Sequence, residues 1–157
     1  MTRTSITTVG VLLTLLGASA VHGLSPESLK TRFETDIAAF NAQDPAAFVD
    51  AAHEDIVLFG IVSPFPVEGK PAFRQVLKQY LADFGEVRLT PEGPAFYISG
   101  TSGVAWGHFT LVSKRADGPR EYNHGRYTMT YTEVEGQWVL VAMHLSPLQS
   151  SYYLFDM

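Results

Sequence analysis

The sequence predicts an α+β domain in which helices lie against one face of an antiparallel sheet, and three observations predict it. Apolar residues recur at helical spacing in the first half of the chain. From residue 86 onward the texture changes to β-branched and aromatic runs separated by turn signals. The 157 residues, 46% of them hydrophobic and 12% aromatic, suffice for one substantial core, and no repeat, low-complexity tract or linker marks a second.

The chain begins with Met1, Thr2 and Arg3, runs through the apolar stretch "VGVLLTLLG" (9–17), and reaches "ASA" (18–20), a small-x-small pattern. This reads as a secretory signal peptide over residues 1–20, cut after Ala20 or, alternatively, as far on as Gly23. The apolar run falls short of the roughly 20 residues of a membrane span. Residues 24–147 then form the domain and 148–157 an aromatic tail, and the mature protein is expected in the periplasm or the medium, free of the membrane. Loss of Arg3 leaves ten basic against sixteen acidic residues, a net charge of −6. No basic cluster exceeds Lys114-Arg115, which argues against a nucleic-acid partner. Cysteine is absent, excluding disulfides, a thiol nucleophile, thiolate metal sites and a lipid-modified cysteine anchor.

Ser25 and Pro26 open the first helix, with Leu29, Phe33, Ile37 and Phe40 on one face. Asp44-Pro45 starts a shorter one over 46–52. "DIVLFG" (55–60) reads as a buried strand and "SPFPVEG" as a proline-stiffened loop. Phe73, Val76, Leu77, Tyr80, Leu81 and Phe84 mark the face of a further helix, with Gly85 as its C-cap. "VRLT", "AFYISG", "GVAWGHFTLVSK", "REYNHGRYTMTYT" and "QWVLVAMHLS" follow as strands, and "RADGPR" closes one hairpin. "EVEGQ" suits a three-residue turn with a bulge at Gly136. That turn sets Thr132 opposite Trp138, Thr128 opposite Ala142 and Arg126 opposite His144. One face of the last hairpin then carries Arg126, three threonines, Trp138 and His144, and the other Tyr127, Met129, Tyr131, Val139, Val141 and Met143. Either face could line a cavity: the apolar one makes the better core, the mixed one a polar-tipped pocket or a subunit interface.

The element order, with "VLFG", "VEGKPAFRQVL", "GRYTMTY" and "EGQWVLVAMHLS", resembles the nuclear transport factor 2-like superfamily over about residues 26–147. The SnoaL-like and calcium/calmodulin-dependent kinase II association-domain-like branches are nearest. The last hairpin carries most of the resemblance, through Gly136, Trp138, His144 and Ser146. The resemblance implies a curved, cone-shaped sheet wrapped around N-terminal helices, as in cystatin-like folds, a cavity open at one end, and a homodimer through the sheet. It implies no single activity. Enzymes of this superfamily often use a carboxylate deep in the cone, but the only acids between residues 96 and 132 are Asp117 and Glu121. Asp36, Asp50, Glu54 and Asp55 belong to helices or to the entry of the first strand. The cavity arginine of association-domain relatives falls at Met129 and does not carry over.

His108 and His144 are the candidate acid and base for a dehydratase, isomerase or cyclase, since imidazole exchanges protons near neutral pH. Their alternative role is hydrogen bonding at strand ends or across a dimer seam. Trp106, His124, Arg126, Tyr127 and Tyr131 are the candidate ligand contacts. Arg126 could equally pair with Glu121 or Glu133, and Trp106 could fill the core. The histidines lack metal-ligand spacing, so neither a metal nor another cofactor is expected. The leading expectation is an exported, dimeric binder of a small organic molecule; the alternatives are a histidine acid/base enzyme and an oligomerising association module without a ligand.

Overall fold

The computed structural model describes residues 24–60 and 64–148, so the expected signal peptide over residues 1–20 and the tail beyond Leu148 lie outside the described residues. Helices α1 (Pro26–Asn41) and α2 (Pro45–Asp50) precede strand β1 (Ala52–Phe59), the short β2 (Val67–Glu68) and helix α3 (Lys70–Asp83). Four long strands follow: β3 (Glu86–Ser99), β4 (Ser102–Lys114), β5 (Arg120–Val134) and β6 (Gln137–Pro147). They build one six-stranded sheet in the order β2-β1-β6-β5-β4-β3, in which only β1 and β6 run parallel.

Local chemistry sets the helix starts. Ser25 and Ser28 form a reciprocal capping box at α1, with Pro26 in the first turn, and the Asp44 carboxylate accepts from the Ala47 N–H at α2. The end of α3 departs from expectation. Its cap residue is Phe84, in an extended conformation at φ −125°, so Gly85 is not a left-handed cap but lies outside the helix, its N–H donating to Lys114 O. "VRLT" and "AFYISG" are one strand, bent by an irregularity between Glu92 and Ala95 where Gly93 has φ 58°.

The last hairpin also corrects the expected register. Its turn has two residues, Glu135 and Gly136, with φ 52° and 80°, so Val134 pairs with Gln137 and Glu133 with Trp138. A bulge at Val141 then shifts the pairing, giving Thr130 opposite Ala142, Thr128 opposite His144 and Arg126 opposite Ser146. Trp138 and Leu140 thereby join Tyr127, Met129, Tyr131 and Met143 on the buried face, and Val139 joins the threonines. The helices pack on that face, and the core lies between them and the sheet.

Two glycines allow the sheet to curve inward this far. A Cβ on Gly125 would stand 2.3 Å from Phe109 Cζ and 2.6 Å from Ser146 O, and one on Gly107 would meet the Tyr127 hydroxyl at 2.9 Å. Their missing side chains are the space that the two large rings use.

Candidate functional site: an apolar cavity at the open end of the sheet

Between α1, α3 and the concave face of the sheet lies a cavity of about 80 Å³. Buried Leu58, Phe73, Phe109, Tyr127, Met129 and Met143 form much of its floor. Half-buried Ile37, Phe40, Gly60, Val76, Tyr80 and Leu145 form its rim. Among the described residues, no charged one lines it. Its volume is small beside the roughly 300–1,000 Å³ of pockets for drug-sized molecules. The two methionines in the floor are unbranched and adaptable, which lets the space change shape.

The α1 wall is fixed by polar bonds made outside the cavity. Asn41, the last residue of α1, pairs with β3 like a strand neighbour, its amide donating to Leu89 O at 2.9 Å and accepting from Leu89 N at 2.7 Å. This holds Ile37 and Phe40 over the sheet. Trp138 Nε1 donates to Ser28 Oγ at 3.0 Å and ties the start of α1 to β6.

Asp36 is the one buried acid among the described residues, only 2% exposed. Arg32 Nη2 donates to its Oδ1 at 2.8 Å and Arg32 Nε to its Oδ2 at 3.2 Å, while the Tyr131 hydroxyl donates to Oδ2 at 3.1 Å. Arg32 also donates to Ala51 O at 2.9 Å, at the entry to β1. Burial raises the Asp36 carboxyl above its ordinary 3.8, against the opposing pull of Arg32 and the Tyr131 bond. Burial also holds the Tyr131 hydroxyl well above its ordinary range, reinforced by Asp36. This network joins α1, β1 and β5, and Asp36 is not part of the cavity wall. Sequence reading named Asp36 only as a helix acid; its i, i+4 spacing from Arg32 was the available signal, whereas the Tyr131 contact spans 95 residues.

Of the sequence-predicted residues, Tyr127 lines the cavity and Tyr131 lies buried beside Asp36. The Tyr127 ring stacks on Phe33 at 5.5 Å between centroids, and its buried hydroxyl finds no hydrogen-bond partner among the described residues. Burial pushes that hydroxyl up to about 12.

Trp106, His108, His124, Arg126 and His144 correct the expected grouping. All five stand exposed on the convex face, away from the cavity, because strand alternation turns them opposite to Ala105, Phe109 and Tyr127. There they are neighbours: His108 pairs in register with Arg126, Thr110 with His124, and Trp106 with Thr128, which itself pairs with His144. Thr110 Oγ1 bridges Glu92 Oε1 and His124 Nδ1, the latter at 2.9 Å, and the His144 ring meets Phe59 edge to face at 6.2 Å. Arg126 forms no ion pair with Glu121 or Glu133. Among the described residues, no group of three His, Cys, Asp or Glu could hold a metal ion, and no helix is long and apolar enough to cross a membrane.

The helices, the six-stranded curved sheet and the cavity under its concave face define the class. A SnoaL-like domain model matches residues 29–150, and the chain belongs to that family, a branch of the nuclear transport factor 2-like proteins. Solved structures agree on the fold. A nuclear transport factor 2-like superfamily protein from Salmonella enterica is 13% identical, covering 84% of this chain and 96% of its own, with a TM-score of 0.72. A candidate scytalone dehydratase from Novosphingobium aromaticivorans is 15% identical, covering 82% and 87%, at 0.71. A candidate calcium/calmodulin-dependent protein kinase II association domain from Xanthomonas campestris is 20% identical, covering 78% and 87%, at 0.70. No functionally curated protein matches the chain. At these identities the likeness to the solved structures shows the fold alone.

Proposed function

We propose that this protein binds a compact, uncharged, apolar molecule in the cavity between α1, α3 and the sheet. The observation that carries the reading is the composition of the wall: sixteen lining residues among those described, without one charge. A carboxylate or phosphate entering it would lose its water and meet no cation, at a cost of several kcal/mol. Binding is favoured over turnover because the three strand histidines face away from the cavity and Asp36 is engaged by Arg32 and Tyr131.

The test is a thermal-shift screen with uncharged hydrophobes, naphthalene-sized and smaller. A ligand at a hundred times its Kd stabilises the fold by about 2.7 kcal/mol, or roughly 5–10 °C in Tm for a chain of this size. Val76→Trp, which adds bulk at the rim, should abolish the shift while the protein stays folded. An unchanged shift in Val76→Trp, or no shift with any hydrophobe, would sink the reading.

The convex face is read as a homodimer interface. Seven large apolar side chains stand exposed among the described residues, and four of them, Phe59, Tyr97, Trp106 and Tyr122, share this face. Such clustering is what subunit contacts require. Export is proposed on the strength of residues 1–20 alone; the N-terminal sequence of the protein recovered from its host tests it, and an intact Met1 would overturn it.

A further inference from the structure

We propose that two copies of this chain meet through their convex faces about a two-fold axis running along β4, with Glu92 of each copy against Arg126 of the partner subunit, and that acid separates them. The proposal rests on reading the convex face as a homodimer interface.

Charge is ordered across this face. Glu92 on β3, His108 on β4 and Arg126 on β5 stand side by side in register, and all three are exposed. Neighbouring strands are about 4.8 Å apart, so an acid and a base flank the imidazole at equal distances. Glu92 Oε1 accepts from Thr110 Oγ1, and neither Glu92 nor Arg126 has an ion pair among the described residues.

Two copies of one face in contact are related by a two-fold axis lying in the plane between them. An axis along β4 lays β3 of each copy over β5 of the other. Glu92 then faces Arg126 of the partner subunit, and symmetry makes the pair twice. One row of the sheet holds Arg88, Val112 and Tyr122, and there the same rotation sets the Arg88 guanidinium against the partner's Tyr122, a ring 62% exposed. Trp106 meets the partner's Trp106. An axis along β5 would instead set Arg120 and Arg126 against their own copies, and one running across the strands would oppose Glu92 to Glu92 and Arg126 to Arg126. Of these, the β4 axis alone opposes unlike charges. Lys114 also falls on it, but about 20 Å along the strand from His108, where twisted sheets packed at roughly 30° swing apart.

The same axis makes the seam sensitive to acid. His108 lies on it and meets the partner's His108. Within its own sheet His108 is faced by Glu92 from β3, by Arg126 from β5, by Trp106 and Thr110 along β4, and diagonally by His124, whose Nδ1 lies 2.9 Å from Thr110 Oγ1. Glu92 is the one acid in register with His108 among the described residues, and each Glu92 is matched by an Arg126. Protonating both copies of His108 therefore adds two like charges between the sheets with no acid left to balance them.

Glu92→Arg alone and Arg126→Glu alone each set like charges opposite one another at two points. Sedimentation velocity at pH 8 should show the dimer Kd raised about tenfold or more by either, with far-ultraviolet circular dichroism unchanged. Mixing the two variants restores unlike charges across the seam, and the mixture should dimerise as the unaltered chain does. Single variants as tightly dimeric as the unaltered chain, or a mixture no tighter than its components, would overturn the β4 axis while leaving the homodimer. An unaltered chain that stays monomeric would remove the homodimer and the axis with it. On acidification to pH 5.5 the Kd of the unaltered chain should rise about tenfold or more, and that of His108→Gln by less than about threefold. A Kd that ignores pH, or an equal rise in His108→Gln, would overturn the release by acid.

Discussion

Asp36 sits between opposing effects, since burial penalises its charge while Arg32 and Tyr131 favour it, and burial wins. A carboxyl whose folded value is raised holds its proton more tightly in the native state. Its contribution to stability is therefore fully present below pH 3.8 and lost as pH rises through the folded value. Urea unfolding over a pH series should show the intact protein losing stability relative to Asp36→Asn as pH rises from 3 to 7; a difference that is flat or reversed would refute this. Asp36→Ala strands the Tyr131 hydroxyl and Arg32, and should cost about 2–4 kcal/mol. Tyr127 is the opposite case. Its hydroxyl is buried without a hydrogen-bond partner among the described residues, so Tyr127→Phe should leave stability unchanged or raise it by about 1 kcal/mol in the same unfolding assay. Gly125→Ala would drive a methyl into Phe109 and the Ser146 carbonyl and should cost about 2 kcal/mol or more, with Phe109→Leu restoring part of it.

At the level of elements, the last hairpin shows how far a pattern can be read and where it stops. Alternation along β5 separated Arg126, Thr128 and Thr130 from Tyr127, Met129 and Tyr131, and that separation holds. On β6 the same logic favours a three-residue turn at "EVEGQ". The protein uses the two-residue turn and restores the faces with a bulge at Val141. A bulge has no strong residue signature, so the alternation alone puts Trp138 on the face opposite to the one it occupies. The turn also leaves Glu135 in the left-handed region at φ 52°, which costs a non-glycine residue about 1–2 kcal/mol. Glu135→Asn creates the Asn-Gly pair that this turn prefers. It should raise Tm by a few degrees, and a lower Tm would show that the Glu135 side chain has a compensating role.

For the molecule as a whole, the two faces of one sheet have different fates. The concave face packs against the helices and encloses the apolar cavity. The convex face exposes Trp106 and Tyr97, 43% and 61% accessible, beside His108, Arg126 and His144. If it joins two subunits, Trp106→Glu should halve the mass measured by light scattering at micromolar concentration while leaving the far-ultraviolet circular dichroism unchanged. An unchanged mass would rule out this face as the seam.

The sequence by itself determined the α+β class, the order of helices and strands, the helix caps at Ser25 and Asp44, and the family. These depend on periodicity and on contacts a few residues apart. Only the tertiary structure decided which face of the sheet is inside, and with it the fate of the candidate site. Tyr127 faces the cavity while Trp106, His108, His124, Arg126 and His144 do not, because helices α1 and α3 dock on the face where Gly107 and Gly125 leave room for the Tyr127 and Phe109 rings. That choice, like the bond between Tyr131 and Asp36, is made between residues far apart in the chain, where no local spacing records it.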